Sequence, residues 1–523
     1  VYLRMGGSKL MEGVVYPVGS DGTVSTSATG KGILAAGMRC CNEELANAIA
    51  GEPRWRENYP ERFIDVLAES VASGGNALKI AEAGLGYCHE RFRFIREGVE
   101  YPLKDAIEKC TPMKTFVTKE TVGKPSQGRS FDVPHGGSRL NPQRFLKLAK
   151  EWEQSGVVEP SCVDGWKWTL DPSNVENLEK GMENTIFVVI GAGAQMGPLI
   201  PLLECGASVA AIDLPRKDIW RRLNSVARRL PGRMFSPEDK ATGTLGGNLL
   251  TDLPELAHWL VNLEPSKNMV FGSYAYADSA LFVRVCLAMD ALYVYVSKQR
   301  QNSVMLSYLC SPSSCFYVPE EAKNDSLMRY NDVSLSSLLQ PAVSKLSGGR
   351  WMVPNYPLDA DPIRGRIVDA FILQQGPNYA MAKQIQYWRA MLARESGAIV
   401  SCNIAPASFT PSVTKNAMFA AGYGGTMYFP PTYIFEPGTS NHVMALLLLN
   451  DMFNPTATSN PQVPLENPVQ LFQAEAVHGG FWRIPYKPTS ILELAVCLYY
   501  LNKYKGLGGL GVGALYAYHK SKL

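Results

Sequence analysis

The chain has 523 residues, of which 51 are basic and 48 acidic, and its formal net charge is +3. Charged residues make up 19% and hydrophobic residues 46%, the composition of a globular protein large enough for two or three domains. This balance argues against an extended basic surface for nucleic acid or membrane, and no apolar run reaches the roughly 18 residues of a membrane-spanning helix.

Cysteine and histidine are thinly spread along the chain. There are 11 Cys and 6 His, without a Cys-x-x-Cys or a His-x-x-x-His spacing. We therefore expect no bound metal, no disulfide framework, and a reducing compartment, either the cytoplasm or an organelle matrix. Since the sequence starts at Val1 and not at a methionine, removal of a targeting peptide is an open alternative.

Residues 1–183 are predicted to form a mainly helical accessory domain. Apolar spacing typical of helices covers residues 61–72 and 77–96, and Asn141 is a suitable N-cap for a third helix over 142–154. Between them, residues 114–139 are rich in Gly, Ser, Pro and Thr and are predicted to be a long loop.

From residue 184 the pattern alternates between strands and helices. Strands are predicted over 185–190, 208–212, 249–253, 268–272, 304–309 and 398–404, and helices over 198–205, 280–298 and 377–394. The first strand is apolar and β-branched throughout, as in a parallel strand buried on both faces. The alternation predicts an α/β fold with a doubly wound parallel sheet over 184–484. A terminal helix over 491–500 and a glycine-rich tail complete the prediction for 485–523.

A glycine-rich turn follows the first predicted strand. Glycine lets the backbone approach a phosphate group, and the helix after the turn offers free N–H groups. Asp213 ends the next strand, 22 residues after the turn begins, where a carboxylate can bind the hydroxyls of an adenosine ribose. The alternative is a tight strand-to-helix turn without a ligand. The residues of the turn are Gly191, Gly193, Gln195, Met196 and Gly197.

Asp213 also bears on the choice of cofactor. Its negative charge would repel the 2′-phosphate of NADP, which favours NAD. Arg216 and Lys217 follow closely and favour NADP, unless they only begin a solvated helix. NAD is the preferred prediction, with NADP as the alternative.

Tyr379 and Lys383 lie four residues apart in the predicted helix over 377–394, so they share one face. An ammonium group near a phenol favours the phenolate and lowers the pKa of the tyrosine, whose ordinary value is about 10. Such a tyrosine can act as a general acid or base. The competing interpretation is accidental spacing, because Tyr-x-x-x-Lys is common.

These motifs, in this order, resemble the short-chain dehydrogenase/reductase superfamily, which has a Rossmann-like fold. The helix with Tyr379 and Lys383, followed by a strand ending at Pro406, resembles the family's active-site segment. Residues 190–197 resemble its glycine turn, 250–256 its third strand with Asp252 at adenine, and 477–480 its last strand. The resemblance spans about 184–484.

The resemblance implies an NAD(P)-dependent oxidoreductase that transfers hydride between nicotinamide and a carbonyl or alcohol substrate. Ser313 would bind the substrate oxygen, Tyr379 would pass the proton, and Lys383 would orient the ribose. Aromatic residues over 419–435 favour an apolar or bulky substrate. We also expect a homo-oligomer or a subunit of a larger complex. The remaining residues expected at the cofactor are Leu214, Gly272, Pro406 and Thr410.

The sequence departs from the family at several positions. Ile190 replaces the first Thr of the turn, Gln195 replaces its middle glycine, and Cys286 stands near the family's helical Asn. Ser311, Ser313 and Ser314 follow the fifth predicted strand, and Ser313 is preferred because it lies 27 residues after Cys286, a separation similar to that in the family. An insertion over 319–377 separates these serines from Tyr379 and must lie outside the sheet if they are to meet. These departures support a second prediction, a catalytically inactive Rossmann-fold scaffold subunit.

Overall fold

The computed structural model describes residues 12–124, 128–301, 303–332 and 335–504. Fourteen strands lie within these ranges. They are β1 Gly13–Val15, β2 Arg93–Arg96, β3 Val99–Pro102, β4 Phe116–Val122, β5 Val133–His135, β6 Ser138–Leu140, β7 Thr185–Ile190, β8 Ser208–Ile212, β9 Arg233–Asp239, β10 Asn268–Ser273, β11 Val304–Ser307, β12 Cys315–Tyr317, β13 Ile367–Asp369 and β14 Val400–Ser401.

Nineteen α-helices accompany these strands in the same ranges. They are α1 Thr26–Arg39, α2 Glu43–Gly51, α3 Trp55–Ala72, α4 Gly74–Arg91, α5 Ala106–Lys109, α6 Pro142–Ser155, α7 Pro160–Leu170, α8 Val175–Glu183, α9 Leu199–Glu204, α10 Lys217–Ala227, α11 Leu253–Asn262, α12 Ala280–Arg300, α13 Glu320–Asn331, α14 Leu335–Leu346, α15 Gly376–Glu395, α16 Pro411–Thr414, α17 Ala417–Thr426, α18 Pro437–Phe453 and α19 Pro488–Lys503.

A seven-stranded sheet forms the centre of the α/β fold, in the order β14-β11-β10-β7-β8-β9-β4. The first six strands are parallel, and β4 pairs antiparallel with β9 at one edge. The carboxyl ends of the parallel strands meet along one side, here called the carboxyl edge. The predicted α/β alternation is confirmed at this level.

Strand β7 is buried on both faces because all six of its residues are apolar or β-branched. Ile186, Val188 and Ile190 pack into the core on one face of the sheet. Phe187 and Val189 pack on the opposite face. Each fully buried side chain of this size contributes about 1.5–3 kcal/mol to folding, so β7 anchors the sheet between its two helical layers.

Two predicted strands are wrong. Residues 249–253 form a turn into α11, and the third parallel strand is β9, whose Pro237 and charged ends hide it in the sequence. Residues 477–480 turn instead of extending, since Gly479 and Gly480 have φ of +65° and +88°. Only the N–H of Val477 bonds towards the sheet, donating to the carbonyl of Ile404.

The N-terminal region is attached to the sheet. The segment 114–139, predicted to be a loop, contains β4, β5 and β6. Most side chains of β4 are exposed, so the strand lacks the apolar alternation that sequence reading relies on. The helix predicted over 77–96 ends at Arg91, and the chain continues as β2.

The described residues of the insertion contribute no strand to the seven-stranded sheet, as predicted. It carries α13 and α14, and β13 pairs with β12 in a separate two-stranded sheet. The predicted terminal helix is α19, whereas the glycine-rich tail lies outside the described residues. One described helix, α12, is long and apolar enough to span a membrane, and 67% of that stretch is buried inside the protein.

Candidate active site at the carboxyl edge of the sheet

The predicted tyrosine and lysine lie near the start of α15. Pro377 occupies the first turn of this helix, where its missing N–H has no partner to lose. The opposite face of α15 is buried in the core, with Trp388 completely enclosed. This packing directs the partly buried Tyr379 and Lys383 towards the loop that follows β11.

The loop between β11 and β12, residues 308–314, is here called the serine loop, and it contacts Tyr379 directly. The hydroxyl of Tyr379 donates to Ser311 Oγ over 2.8 Å, although the two residues are 68 positions apart. Backbone N–H of Ser311 donates to the hydroxyl of Tyr387, two turns further along α15. Two contacts to one helix fix the loop, and the predicted proximity of serine and tyrosine is confirmed.

The particular serine differs from the prediction. The hydrogen-bond partner of Tyr379 is Ser311, whereas Ser313 Oγ lies 3.0 Å from Ser311 Oγ and donates to Gln375 Oε1 over 2.7 Å. Ser311 and Ser313 are both buried. Ser311 is therefore the serine that can bind a substrate oxygen together with the tyrosine, whereas Ser313 is one hydrogen bond further from the phenol.

The electrostatics of the tyrosine also differ from the prediction. Burial raises the pKa of Tyr379 to about 12, and the hydrogen bond with Ser311 opposes this only in part. Burial lowers the pKa of Lys383. The ammonium donates to the carbonyl of Leu309 over 2.9 Å and to Gln386 Oε1 over 3.0 Å. Lys383 is thus held at the end of β11 by these two acceptors, while burial keeps the pKa of the phenol above its ordinary value.

Aromatic side chains surround the tyrosine. The rings of Tyr276 and Phe282 lie 6.4 and 5.6 Å from the ring of Tyr379. Burial raises the pKa of Tyr423 on α17, and the electrostatic interaction with Tyr379 adds to this effect. Tyr423 and Phe419 pack in an apolar cluster within the predicted aromatic segment. The surroundings of the phenol are therefore largely apolar.

The glycine turn lies beside β8 and β10. Gly191 has φ +83°, and a Cβ there would lie 2.6 Å from the Cα of Ala275, so only glycine fits. The N–H of Gly191 donates to the carbonyl of Ile212. Gly193 donates its N–H to Asp213 Oδ2 over 2.7 Å, which joins the turn to the end of β8.

The two predicted carboxylates have internal partners. Asp213 also accepts the N–H of Leu214 over 2.8 Å, while the Leu214 side chain is exposed. Asp252 pairs with Lys114 at 2.8 Å and accepts the N–H of Asn248. Asp213 remains next to the turn, whereas Asp252 is buried against a cation from another segment.

A small cavity at the carboxyl edge connects the glycine turn with the strand ends. Its lining includes Met196 and Pro198 from the turn, with Tyr274 and Asn403 beyond the ends of β10 and β14. The hydroxyl groups of Tyr274 and Ser307 lie 2.5 Å apart across this edge. Helix α18 covers the cavity with Asn441, Met444 and Leu448.

Of the predicted cofactor residues, Met196 is the one that belongs to the lining of this cavity. The carbonyl of exposed Gln195 accepts from Asn441 Nδ2 over 3.2 Å. Gly197 donates its N–H to the carbonyl of Ala194. Gly272 is the penultimate residue of β10, buried Pro406 lies beyond β14, and Thr410 precedes α16.

Sequence reasoning missed a buried pair of carboxyl groups beside the same cavity. Asn403 Nδ2 donates to Asp451 over 2.7 Å and lies 3.3 Å from Glu475 Oε2. Asn450 donates to the other oxygen of Glu475. Burial raises the pKa of both acids, that of Asp451 to about 6 and that of Glu475 well above its ordinary value. The only sequence signal is an isolated acid inside each of two apolar segments.

No protein-family model matches the chain, no curated protein sequence is significantly similar to it, and no solved structure matches it significantly.

Proposed function

We propose that the protein is an NAD(P)-dependent oxidoreductase that transfers hydride between nicotinamide and an apolar carbonyl or alcohol substrate. The observation that carries the proposal is the 2.8 Å hydrogen bond from Tyr379 to Ser311, with Lys383 one helical turn away. Because the two hydroxyl groups are 2.8 Å apart, both can bind the same substrate oxygen. This is the geometry needed for proton transfer to or from that oxygen.

The topology of the sheet supports the same proposal. Numbered along the chain, the six parallel strands lie in the order 6-5-4-1-2-3, the arrangement of a Rossmann fold. In such sheets ligands bind beyond the carboxyl ends of the strands, where the strand order reverses. Here that point lies between β7 and β10, beside the glycine turn and the cavity.

The residues at this edge can be assigned roles. The glycine turn would hold the pyrophosphate, and Asp213 would accept hydrogen bonds from the adenosine ribose through its remaining lone pairs. Arg222 donates to the carbonyl of Gly193 over 2.8 Å and offers a cation at the same turn, so NADP stays as the alternative. The nicotinamide would supply or receive the hydride.

The protein side chains would handle the proton. In carbonyl reduction, Tyr379 donates its proton to the substrate oxygen while Ser311 holds that oxygen by a second hydrogen bond. A pKa of about 12 suits a donor, and the approach of Lys383 to a bound ribose would bring its charge nearer the phenol. The apolar walls from Phe282 and Tyr423 would exclude water and favour an apolar substrate.

A second candidate function is a non-catalytic scaffold with the same fold. The observation in its favour is the filling of the carboxyl edge by Tyr274 and α18, where a nicotinamide would need room. Asp252, expected at adenine, is also occupied by Lys114. For the oxidoreductase proposal, Tyr274 or α18 must move when a dinucleotide binds.

The test is turnover by purified protein with NAD(H) and NADP(H) and a panel of ketones, aldehydes and secondary alcohols, followed by nicotinamide absorbance. We expect Tyr379→Phe to lower kcat by roughly 10²–10⁴-fold, the contribution of a positioned proton donor, with unchanged dinucleotide affinity. Lys383→Ala should lower both kcat and the affinity for the dinucleotide. Tyr330→Phe, a hydroxyl deletion in the insertion, is the matched control and should have no effect.

Thermal melts of each variant separate loss of chemistry from loss of folding. A wild type that binds neither dinucleotide at millimolar concentration and turns over no substrate would favour the scaffold.

A further inference from the structure

A series of hydrogen bonds leads away from the proposed catalytic tyrosine. Tyr379 donates to Ser311 over 2.8 Å, Ser311 lies 3.0 Å from Ser313, and Ser313 donates to Gln375 over 2.7 Å. We call these four side chains the serine relay. Its first and last members are partly exposed, whereas the two serines are buried.

The direction of the relay follows from the number of protons. A serine hydroxyl has one proton to donate, and that of Ser313 is used for Gln375 Oε1. The contact between the serines must therefore be donated by Ser311. Ser311 Oγ in turn accepts from Tyr379 and from the backbone N–H of Ser313. Each hydroxyl in the series therefore donates its single proton to the next member, in the direction from Tyr379 to Gln375.

The terminal residue can support either direction. A glutamine side chain offers an acceptor oxygen and a donor NH₂ group at nearly the same position. With Oε1 towards Ser313, the Tyr379 proton points to Ser311. With the amide turned over, Nε2 would donate to Ser313 and Ser313 would donate to Ser311, so the protons of Ser311 and Tyr379 would both become free for a substrate oxygen.

The local fold holds Gln375 in place. It lies directly before α15, next to Gly376, whose φ is +75°. Upstream, the N–H of Ala370 donates to the carbonyl of Ser314 over 3.2 Å, which fastens the end of the insertion to the serine loop. The insertion that separates the serines from Tyr379 in sequence thus returns Gln375 to them in space.

We propose that Ser313 and Gln375 are positioning residues that set the direction of the Tyr379 hydroxyl and form its proton path to solvent. This inference rests on the proposed function. After Tyr379 gives its proton to a carbonyl oxygen, Ser311 reprotonates the phenolate and Ser313 reprotonates Ser311. Solvent at the partly exposed Gln375 then supplies the proton that Ser313 has lost. One proton is taken up from solvent for each one delivered. Along the relay an O–H bond breaks as the next forms.

The experiment measures exchange of the Tyr379 hydroxyl proton with solvent in the full chain, without cofactor or substrate. Tyrosine labelled with ¹³C at Cζ reports hydrogen–deuterium exchange at the hydroxyl by NMR, and Tyr379→Phe assigns the signal. We expect exchange to slow on the order of tenfold in Ser313→Ala and in Gln375→Met, because each removes one link. Ser313→Thr keeps the hydroxyl and should restore the wild-type rate.

Exchange at the wild-type rate in both Ser313→Ala and Gln375→Met would overturn the proposal, since the proton would then reach solvent by another route. A rate that Ser313→Thr fails to restore would also overturn it. Because no turnover is needed, an inert wild type would count against the oxidoreductase proposal alone.

Discussion

The buried pair Asp451 and Glu475 makes the stability of the protein depend on pH. Asn403 bridges the two carboxyl groups, and both side chains are at most 6% exposed. Two acids that share a buried site cannot both ionise cheaply, so the folded chain holds a proton that the unfolded chain releases above about pH 4.5. The titratable groups around the pair are Cys162, Tyr274 and Cys402.

The sign and size of the effect follow from proton linkage. A raised folded-state pKa means that stability is lost as pH rises from the unfolded to the folded value. For Asp451 that window runs from 3.8 to about 6, and full ionisation costs about 3 kcal/mol. For Glu475 the loss begins near 4.5 and continues to higher pH, by at most about 1.4 kcal/mol per pH unit.

The perturbation is Glu475→Gln, which keeps the shape and provides a permanent amide donor towards Asp451. We expect the variant to gain stability relative to wild type as pH rises from 5 to 8. Urea unfolding followed by tryptophan fluorescence at four pH values gives the free energy of unfolding for each protein. Asp451→Asn/Glu475→Gln, which has no charge to titrate, is the control.

The quantity to compare is the difference in the free energy of unfolding between wild type and Glu475→Gln at each pH, because the titration of distant groups cancels in this difference. A difference that stays constant from pH 5 to pH 8 would mean that Glu475 does not hold the proton, and the reasoning from burial would fail.

Two further predictions follow from the glycines and from Asp213. Gly84→Ala should destabilise by about 1–3 kcal/mol, because its Cβ would lie 2.3 Å from the ring of Trp388. The control in the same helix, exposed Gly86→Ala, meets nothing within 4 Å and should stabilise by about 0.5–1 kcal/mol in a thermal or urea melt. Asp213→Ala should weaken NAD(H) more than NADP(H) in calorimetric titration; tighter NADP(H) binding by wild type would reverse the preference. Asp213→Asn, which can still accept the N–H of Gly193, separates the charge from the support of the turn.

Sequence periodicity located five of the six parallel strands and failed at β9 and β4, which lie at one end of the sheet. Strands β7 and β8 are apolar after their first residues, Thr185 and Ser208, since both faces are covered, and such apolar runs are easy to recognise in a sequence. Strand β4 is mostly exposed, and β9 contains Pro237. Their positions are decided by pairing with each other over seven residues, which is a long-range property that no local window contains.

The candidate site was predictable where a short motif fixes the geometry. The four-residue spacing places Tyr379 and Lys383 on one helical face whatever lies around them. The environment of the phenol was not predictable, because its pKa is set mainly by burial, which the hydrogen bond with Ser311 opposes only in part. Asp252 likewise ends beside Lys114, a partner more than a hundred residues upstream.

The choice between Ser311 and Ser313 shows the limit of counting along a chain. The prediction placed the serine by its distance from Cys286 on α12, which assumes a loop of ordinary shape after β11. The loop is instead fixed from the other side, because the N–H of Ser311 is bonded to Tyr387 and its Oγ to Tyr379. These two tyrosines are eight residues apart on α15, so the helix decides which serine reaches the phenol. The serine that bonds to Tyr379 can therefore be assigned only when the register of α15 is known.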